Sequence, residues 1–257
     1  MDTEGILGLM QETAEAVITP RFRQLTGSDI DEKTPGDFVT IADREAEQYL
    51  GRLLTAAFPG ALIVGEEAAF ADRSVLRQLP NADHAFVIDP IDGTGNFVRG
   101  NPEHGVILAE VRGGVTTRGW IWQPQTGRGY AVERGAGVRV NGEPLTRKAL
   151  DRPPLGGTSK TRLIGFDADG HLSPAVRSHF ACAFDYPAVL HGEIDFTTYT
   201  NTHPWDHLAG SLMLTEVGGV SRTLDGMAYS CLTRTKGLLI AGDTISWLAA
   251  QQYWPVD

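Results

Sequence analysis

Apolar positions along the chain change their period several times. Ile6, Leu9, Met10, Ala14 and Val17 recur at near-helical spacing and predict an amphipathic first helix that Pro20 ends. The polar stretch from Gly27 to Asp37 reads as a loop. From about Thr40, IADREAEQYLGRLLTAAF sets Ala42, Ala46, Tyr49, Leu50, Leu53 and Leu54 on one stripe before Pro59 and Gly60, which predicts a second helix. The period then shortens to that of strands: ALIVG, AFVI (Ala85 to Ile88), HGVILAEV, TTRGWIWQ, and GRGYAVERGAGVRVNGEPL with its hairpin turn at Asn141 and Gly142. The breaker-rich DRPPLGG, Asp151 to Gly157, divides the chain into expected halves of 1–150 and 151–257. Beyond it the pattern predicts a short strand RLIGF, a helix near Ala175 to Ala181, a strand GEIDFTTY and a helix DHLAGSLMLTEVGG closed by glycines. A strand LLIAG and a helix SWLAAQQY finish the pattern.

Composition narrows the class of protein. With 257 residues, 42% hydrophobic and 21% charged, the chain has the make-up of a soluble globular protein able to bury a large core. A net charge of -10 argues against nucleic acid as a partner, because binding a phosphate backbone needs a basic surface. No apolar run reaches signal-peptide or membrane-span length, so the expectation is a cytoplasmic protein with no membrane partner. Cys182 and Cys231 lack any CxxC spacing and are expected as reduced thiols.

The candidate chemistry is carboxylate. VIDPIDGTGNF, Val87 to Phe97, ends a strand with Asp89 and Asp92 and follows them with Gly93, Thr94 and Gly95. Alone, the stretch fits a Pro/Asp/Gly surface turn as well as a site. However, Glu66 and Glu67 follow another strand, and Asp206 stands at the start of a helix, so all these acids occupy element ends that can converge. Oxygen ligands without softer donors favour Mg²⁺ or Mn²⁺. The glycines behind Asp92 let a phosphate approach backbone N–H groups, and metal beside amide donors makes a phosphoryl-transfer pocket.

The motifs GEE (Gly65 to Glu67), DPIDGT (Asp89 to Thr94) and WDxxAG (Trp205 to Gly210), with DFVTIAD (Asp37 to Asp43) upstream, occur in order over most of the chain. In these the sequence resembles the inositol monophosphatase family of Mg²⁺-dependent, lithium-sensitive phosphatases. The resemblance implies an α+β fold, the layered αβαβα sandwich of the inositol monophosphatase and fructose-1,6-bisphosphatase type. Its N-terminal half would hold an antiparallel sheet and most metal ligands, and its C-terminal half Asp206 and substrate-side residues; a homodimer is also implied. By resemblance, Glu66, Asp89 and the Ile91 carbonyl hold a first metal, and Asp89, Asp92 and Asp206 a second, with two or three Mg²⁺ per site. Gly93 and Thr94 offer amides to the phosphate, and Thr94 with Asp43 orients the attacking water, so that Asp43, Glu66 and Thr94 are the candidate catalytic residues. The implied chemistry is in-line attack of a metal-activated water on phosphorus. Glu67 is left open between a third metal, a supporting contact and a solvated neighbour.

Some positions depart from the family pattern. Gly95 replaces a second Thr after DGT. FACAFDYPAVLHGEIDF replaces the GSAA-like run and GRxDA, keeping Gly192 and Asp195 but placing Glu193 at the basic position. Tyr199 stands seven residues before Asp206, where inositol phosphatases place a hydroxyl-binding Glu, and is the substrate-side candidate together with Asp206. Lys33 sits one residue closer to the DxVT element than the family pattern places it. The expected substrate is a small phosphorylated metabolite, an inositol-1-phosphate-like polyol or alcohol; histidinol phosphate, fructose 1,6-bisphosphate and phosphoadenosine phosphate are alternatives, and an inactive metal/phosphate-binding module is the non-enzyme alternative. FDADGH, Phe166 to His171, imitates the haloacid-dehalogenase DxDGT motif but is expected to be a loop. His203 is expected outside the helix that Pro204 begins, with His207 at most a substrate contact.

Overall fold

The computed structural model describes residues 1–148 and 151–255. Position 150, the expected end of the N-terminal half, therefore lies outside the described residues.

Local signals start the first helices where the sequence places them. Asp2 accepts from the Gly5 N–H at the head of α1 (Thr3–Thr13), and Thr40 and Asp43 form a reciprocal capping box on α2 (Ile41–Ala57). Past α1 the chain continues as a wide turn over Ala14–Ile18 and a tighter one over Thr19–Arg21 that contains Pro20. The segment read as a polar loop is a hairpin of β1 (Ile30–Thr34) and β2 (Asp37–Thr40), turned by Pro35 and Gly36. It was illegible as strand because most of its side chains face water and show no apolar alternation.

The main sheet runs in the order β3 (Leu62–Gly65), β4 (Ala85–Asp92), β5 (Gly105–Arg112), β6 (Val115–Gln123), β7 (Arg128–Glu133), β8 (Gly137–Val140), β9 (Glu143–Pro144). It is antiparallel except for the parallel β3–β4 pair. A second sheet has the order β11-β10-β12-β14-β13, from β10 (Leu155–Thr158), β11 (Ser173–Arg177), β12 (Phe196–Tyr199), β13 (Val220–Thr223) and β14 (Leu238–Ala241). The remaining helices are α3 (Glu66–Ala71), α4 (Val75–Gln78), α5 (Thr94–Val98), α6 (Cys182–His191), α7 (Pro204–Glu216) and α8 (Thr244–Tyr253).

Strand alternation sorts the core into layers. Phe86, Ile88, Val106, Leu108 and Trp120 face α1 and α2, whereas Val87, Ile107, Ala109 and Ile121 face α6 and α7. On β14, Leu238 and Ile240 pack on the same side as α6 and α7, and Leu239 and Ala241 pack with Trp247 and Trp254 on the α8 side. The result is the expected αβαβα sandwich. Among the described residues no helix is long and apolar enough to cross a membrane.

Two expectations in the second half are corrected. RLIGF is a single tight turn over Thr161–Leu163 leading into coil, and the segment expected as a helix near Ala175 is the edge strand β11. The helix lies later, as α6, and it contains Pro187. Proline removes the N–H that would bond the carbonyl four residues back. That carbonyl, of Ala183, instead accepts from Gln123 Nε2 at 2.7 Å, so β6 repairs the helix. FDADGH is a turn as expected, with Asp167 accepting from the Asp169 N–H.

Candidate active site

The centre of the site is a bulge at the end of β4, a strand buried along its full length. Asp89 pairs with Ile107 and Asp92 with Gly105, so β4 carries one extra residue against β5. Strict alternation would send Asp89 and Asp92 to opposite faces; the extra residue brings them to the same one. There they meet Asp206, in the first turn of α7, and ligand oxygens of Asp89, Asp92 and Asp206 all lie within 4.8 Å of one another. Ala183 N–H, in the first turn of α6, donates to Asp92 Oδ2 at 2.6 Å and fixes that carboxylate.

Burial pushes the Asp89 carboxyl well above its ordinary range, with Glu66, Asp92 and Asp206 adding to it. Burial, then Glu66 and Asp92, act likewise on Asp206. Three buried acids in contact repel unless a cation neutralises them. Among the described residues Asp89 Oδ1 has no hydrogen-bond partner although it is buried, as a ligand oxygen kept for a cation would be. The donor set is all oxygen and fits Mg²⁺ or Mn²⁺. A second group, Cys182, Asp206 and His207, also has its ligand atoms within 4.8 Å. It fits a metal less well. Burial raises the Cys182 thiol well above its usual pKa, and both ring nitrogens of His207 are already engaged: Nε2–H donates to Asn201 Oδ1 (2.8 Å) and Nδ1 accepts from the Tyr186 hydroxyl (3.2 Å).

Glu66 opens α3 on the same cavity, and Lys33 Nζ donates to Glu66 Oε1 (2.7 Å) and Glu67 Oε1 (2.6 Å). Burial disfavours the ammonium, but the two carboxylates outweigh it and raise its pKa. Lys33 thus belongs to the acid cluster despite its shifted spacing, and Glu67 is its second anchor. The glycine of GEE has a steric reason. Glu47, from α2, accepts from Glu67 N–H (2.7 Å) and Ala68 N–H (3.0 Å), and its carboxylate fills the space where a Cβ of Gly65 would lie.

Gly93 has φ +80 and turns the chain from the bulge into α5. A Cβ there would meet Ala181 Cβ at 2.9 Å and the Glu103 carbonyl at 3.0 Å, so only glycine fits. Thr94 Oγ1 lies 3.1 Å from Asp43 Oδ1 and 2.9 Å from the Ile91 carbonyl oxygen. Burial pushes the Asp43 carboxyl up to about 7, against hydrogen bonds from the Thr40 hydroxyl and N–H.

A cavity of about 820 Å³ joins Glu66, Asp89, Ile91, Asp92, Gly93, Thr94 and Asp206. Tyr199 is not on it, which corrects its expected substrate contact. Its ring packs on His207 (centroids 4.7 Å apart) and parallel to Tyr186, and its hydroxyl is buried. Asn201, two residues on, lines the cavity instead and supports Asp206. His207 is buried, its pKa pushed down to about 3 by burial, and it orients Asn201. His203 stands just before α7 without a side-chain capping bond, and its ring stacks on Trp205. Sequence reasoning missed Asn201, Arg99, Arg177 and Phe180, all on the cavity wall. Only Asn201 carried a signal, by lying close before the PWD helix start.

A buried acid cluster between the layers of an αβαβα sandwich defines the fold class shared by inositol monophosphatases and fructose-1,6-bisphosphatases. Within it the family is plain: the model of the inositol monophosphatase family matches residues 3–253, and the chain belongs to that family of phosphatases. Nus factor SuhB of Pseudomonas aeruginosa is 32% identical over 84% of this chain and 82% of its own. The inositol-1-monophosphatase of Caulobacter vibrioides is 31% identical over 79% and 82%. Among solved structures, a Thermotoga maritima IMPase superposes with TM-score 0.81 at 25% identity, covering 96% of this chain and 94% of its own.

Proposed function

We propose that the protein is a Mg²⁺-dependent phosphomonoesterase that hydrolyses a small phosphorylated alcohol. The observation that carries this reading is the convergence of Asp89, Asp92 and Asp206 within 4.8 Å on a cavity that also exposes Gly93 and Thr94. Glu66, Asp89 and the Ile91 carbonyl would hold one cation, and Asp89, Asp92 and Asp206 another. The bound cations would lower the pKa of a water from ~15.7 toward neutrality and neutralise the leaving alkoxide. The chain does the rest. Backbone amides at Gly93 and Thr94 receive the phosphate oxygens. Thr94 Oγ1 accepts the water's proton as its own passes to Asp43 Oδ1, 3.1 Å away. The water oxygen forms the new bond to phosphorus as the bond from phosphorus to the ester oxygen breaks, and the departing alkoxide takes up a proton from solvent.

The test pairs activity with binding. Asp89→Asn, which spoils both cation positions, should lower phosphate release by on the order of a thousandfold or more, the scale of lost charge stabilisation at a reacting centre. It should also abolish the rise in melting temperature that Mg²⁺ or Mn²⁺ produces in the parent. A variant that keeps both turnover and the cation-induced shift refutes the assignment.

A further inference from the structure

The cavity wall away from Asp89, Asp92 and Asp206 carries two arginines and the carboxylate of Glu103, which is engaged by His179 Nδ1 at 2.9 Å. Arg99 and Arg177 both line it, and neither has a carboxylate within ion-pair distance among the described residues. Arg99 is anchored by a hydrogen bond, and Arg177 lies exposed beside an aromatic ring. Arg99 Nη2 donates to Asn96 Oδ1 (3.2 Å), and its guanidinium lies over Gly95, where a Cβ would sit 3.2 Å from Nη2. Gly95, where the resembling family continues with Thr, thus leaves room for the arginine. Asn96 is buried and donates through Nδ2 to the carbonyls of Glu103 (2.7 Å) and His179 (2.8 Å), stitching together the two loops that carry the arginines. On the second loop the Arg177 guanidinium lies 5.7 Å from the Phe180 ring, and the buried Asp185 accepts from the His179 N–H at 2.8 Å.

Two guanidiniums without a carboxylate at ion-pair distance among the described residues, on a cavity whose opposite wall is acidic, are suited to bind a planar or tetrahedral anion. We propose that Arg99 and Arg177 read a second anionic group of the substrate, so that the preferred substrates are small phosphomonoesters carrying another phosphate or a carboxylate. This deepens the phosphatase reading and rests on it.

The test compares fructose 1,6-bisphosphate with glycerol 2-phosphate as substrates, with Mg²⁺, for the parent enzyme, Arg99→Gln and Arg177→Gln. The parent should favour the bisphosphate in kcat/KM. Each variant should lose on the order of tenfold or more of kcat/KM on the bisphosphate beyond any loss on glycerol 2-phosphate, the scale of one charge-assisted hydrogen bond, and should lose it mainly through KM. Equal losses on both substrates, or a parent without preference, overturn this inference while leaving the phosphatase reading intact. A parent that releases phosphate from neither ester, yet shows no cation-induced stabilisation either, overturns both; one that binds the cations but hydrolyses neither ester overturns the phosphatase reading and takes this inference with it.

Discussion

Replacing Gly65 with Ala isolates how the GEE segment positions Glu66. The Cβ of Gly65→Ala enters the space of the Glu47 carboxylate, which accepts from Glu67 N–H (2.7 Å) and Ala68 N–H (3.0 Å). Displacing it breaks two hydrogen bonds to a charged acceptor, each worth about 1.5–3 kcal/mol, though a partly exposed carboxylate recovers part of this in water. The net cost should be about 2–4 kcal/mol, and the melting temperature should fall by about 2–4 °C per kcal/mol for a chain of this size. Urea unfolding would be measured for the parent, Gly65→Ala, Glu47→Ala and the double variant. Because Glu47→Ala empties the contested space, the glycine substitution should cost far less in that background, a coupling of about 1–3 kcal/mol. Additive effects, or a Gly65→Ala protein as stable as the parent, would refute the steric account.

Other consequences are equally concrete. Gln123→Leu should cost about 1–3 kcal/mol, because it leaves the buried Ala183 carbonyl unpaired, and adding Pro187→Ala should recover part of that by restoring the helical N–H, as read by urea midpoints. Asp195→Asn should cost about 1.5–3 kcal/mol, since Asp195 is buried between Arg147 (2.8 Å) and Arg152, and Arg147 would keep only its longer pair with the partly exposed Asp243 (3.1 Å); unchanged stability would rule out that role. In melting temperatures followed against pH, His104 and Glu110 should each withdraw stability as pH falls, while the buried acids Asp43, Asp89 and Asp206, with raised pKa values, act in the opposite direction. Burial among Phe22 and Phe97 lowers the His104 pKa to about 4, and at Glu110 burial opposes ionisation but Arg118, Thr117 and Arg112 prevail and hold it to about 2. Both groups bind protons more readily when unfolded, so His104's contribution is lost between about 6.5 and 4 and Glu110's between about 4.5 and 2. His104→Phe should remove the first of these two losses from the melting profile.

What was legible in the sequence was what periodicity and element ends encode. Strands with alternating Val, Ile and Trp, the capped helix α2 and the acids at strand and helix ends could be read directly, and the acids Asp89, Asp92 and Asp206 do share one cavity. The bulge that turns Asp89 and Asp92 to one side could not, because it appears only when β4 is laid against β5. The helix α6 was hidden by Pro187, whose cost is met by Gln123 from a distant strand. Tyr199 was assigned to the substrate by its spacing from Asp206, but its ring packs with Tyr186 and His207, and the neighbouring Asn201 reaches the cavity. Arg99 and Arg177 belong to loops with no regular period, so only the folded chain shows that they face the same space.

The clasp of α6 on Asp92 has a bearing on how the protein matures. On a ribosome, Asp89 and Asp92 emerge long before the amide of Ala183 and the carboxylate of Asp206. Until those later segments dock, a nascent chain holds only part of a cation cage, and capture of a divalent ion should therefore wait until α6 and α7 have been made and packed against β4.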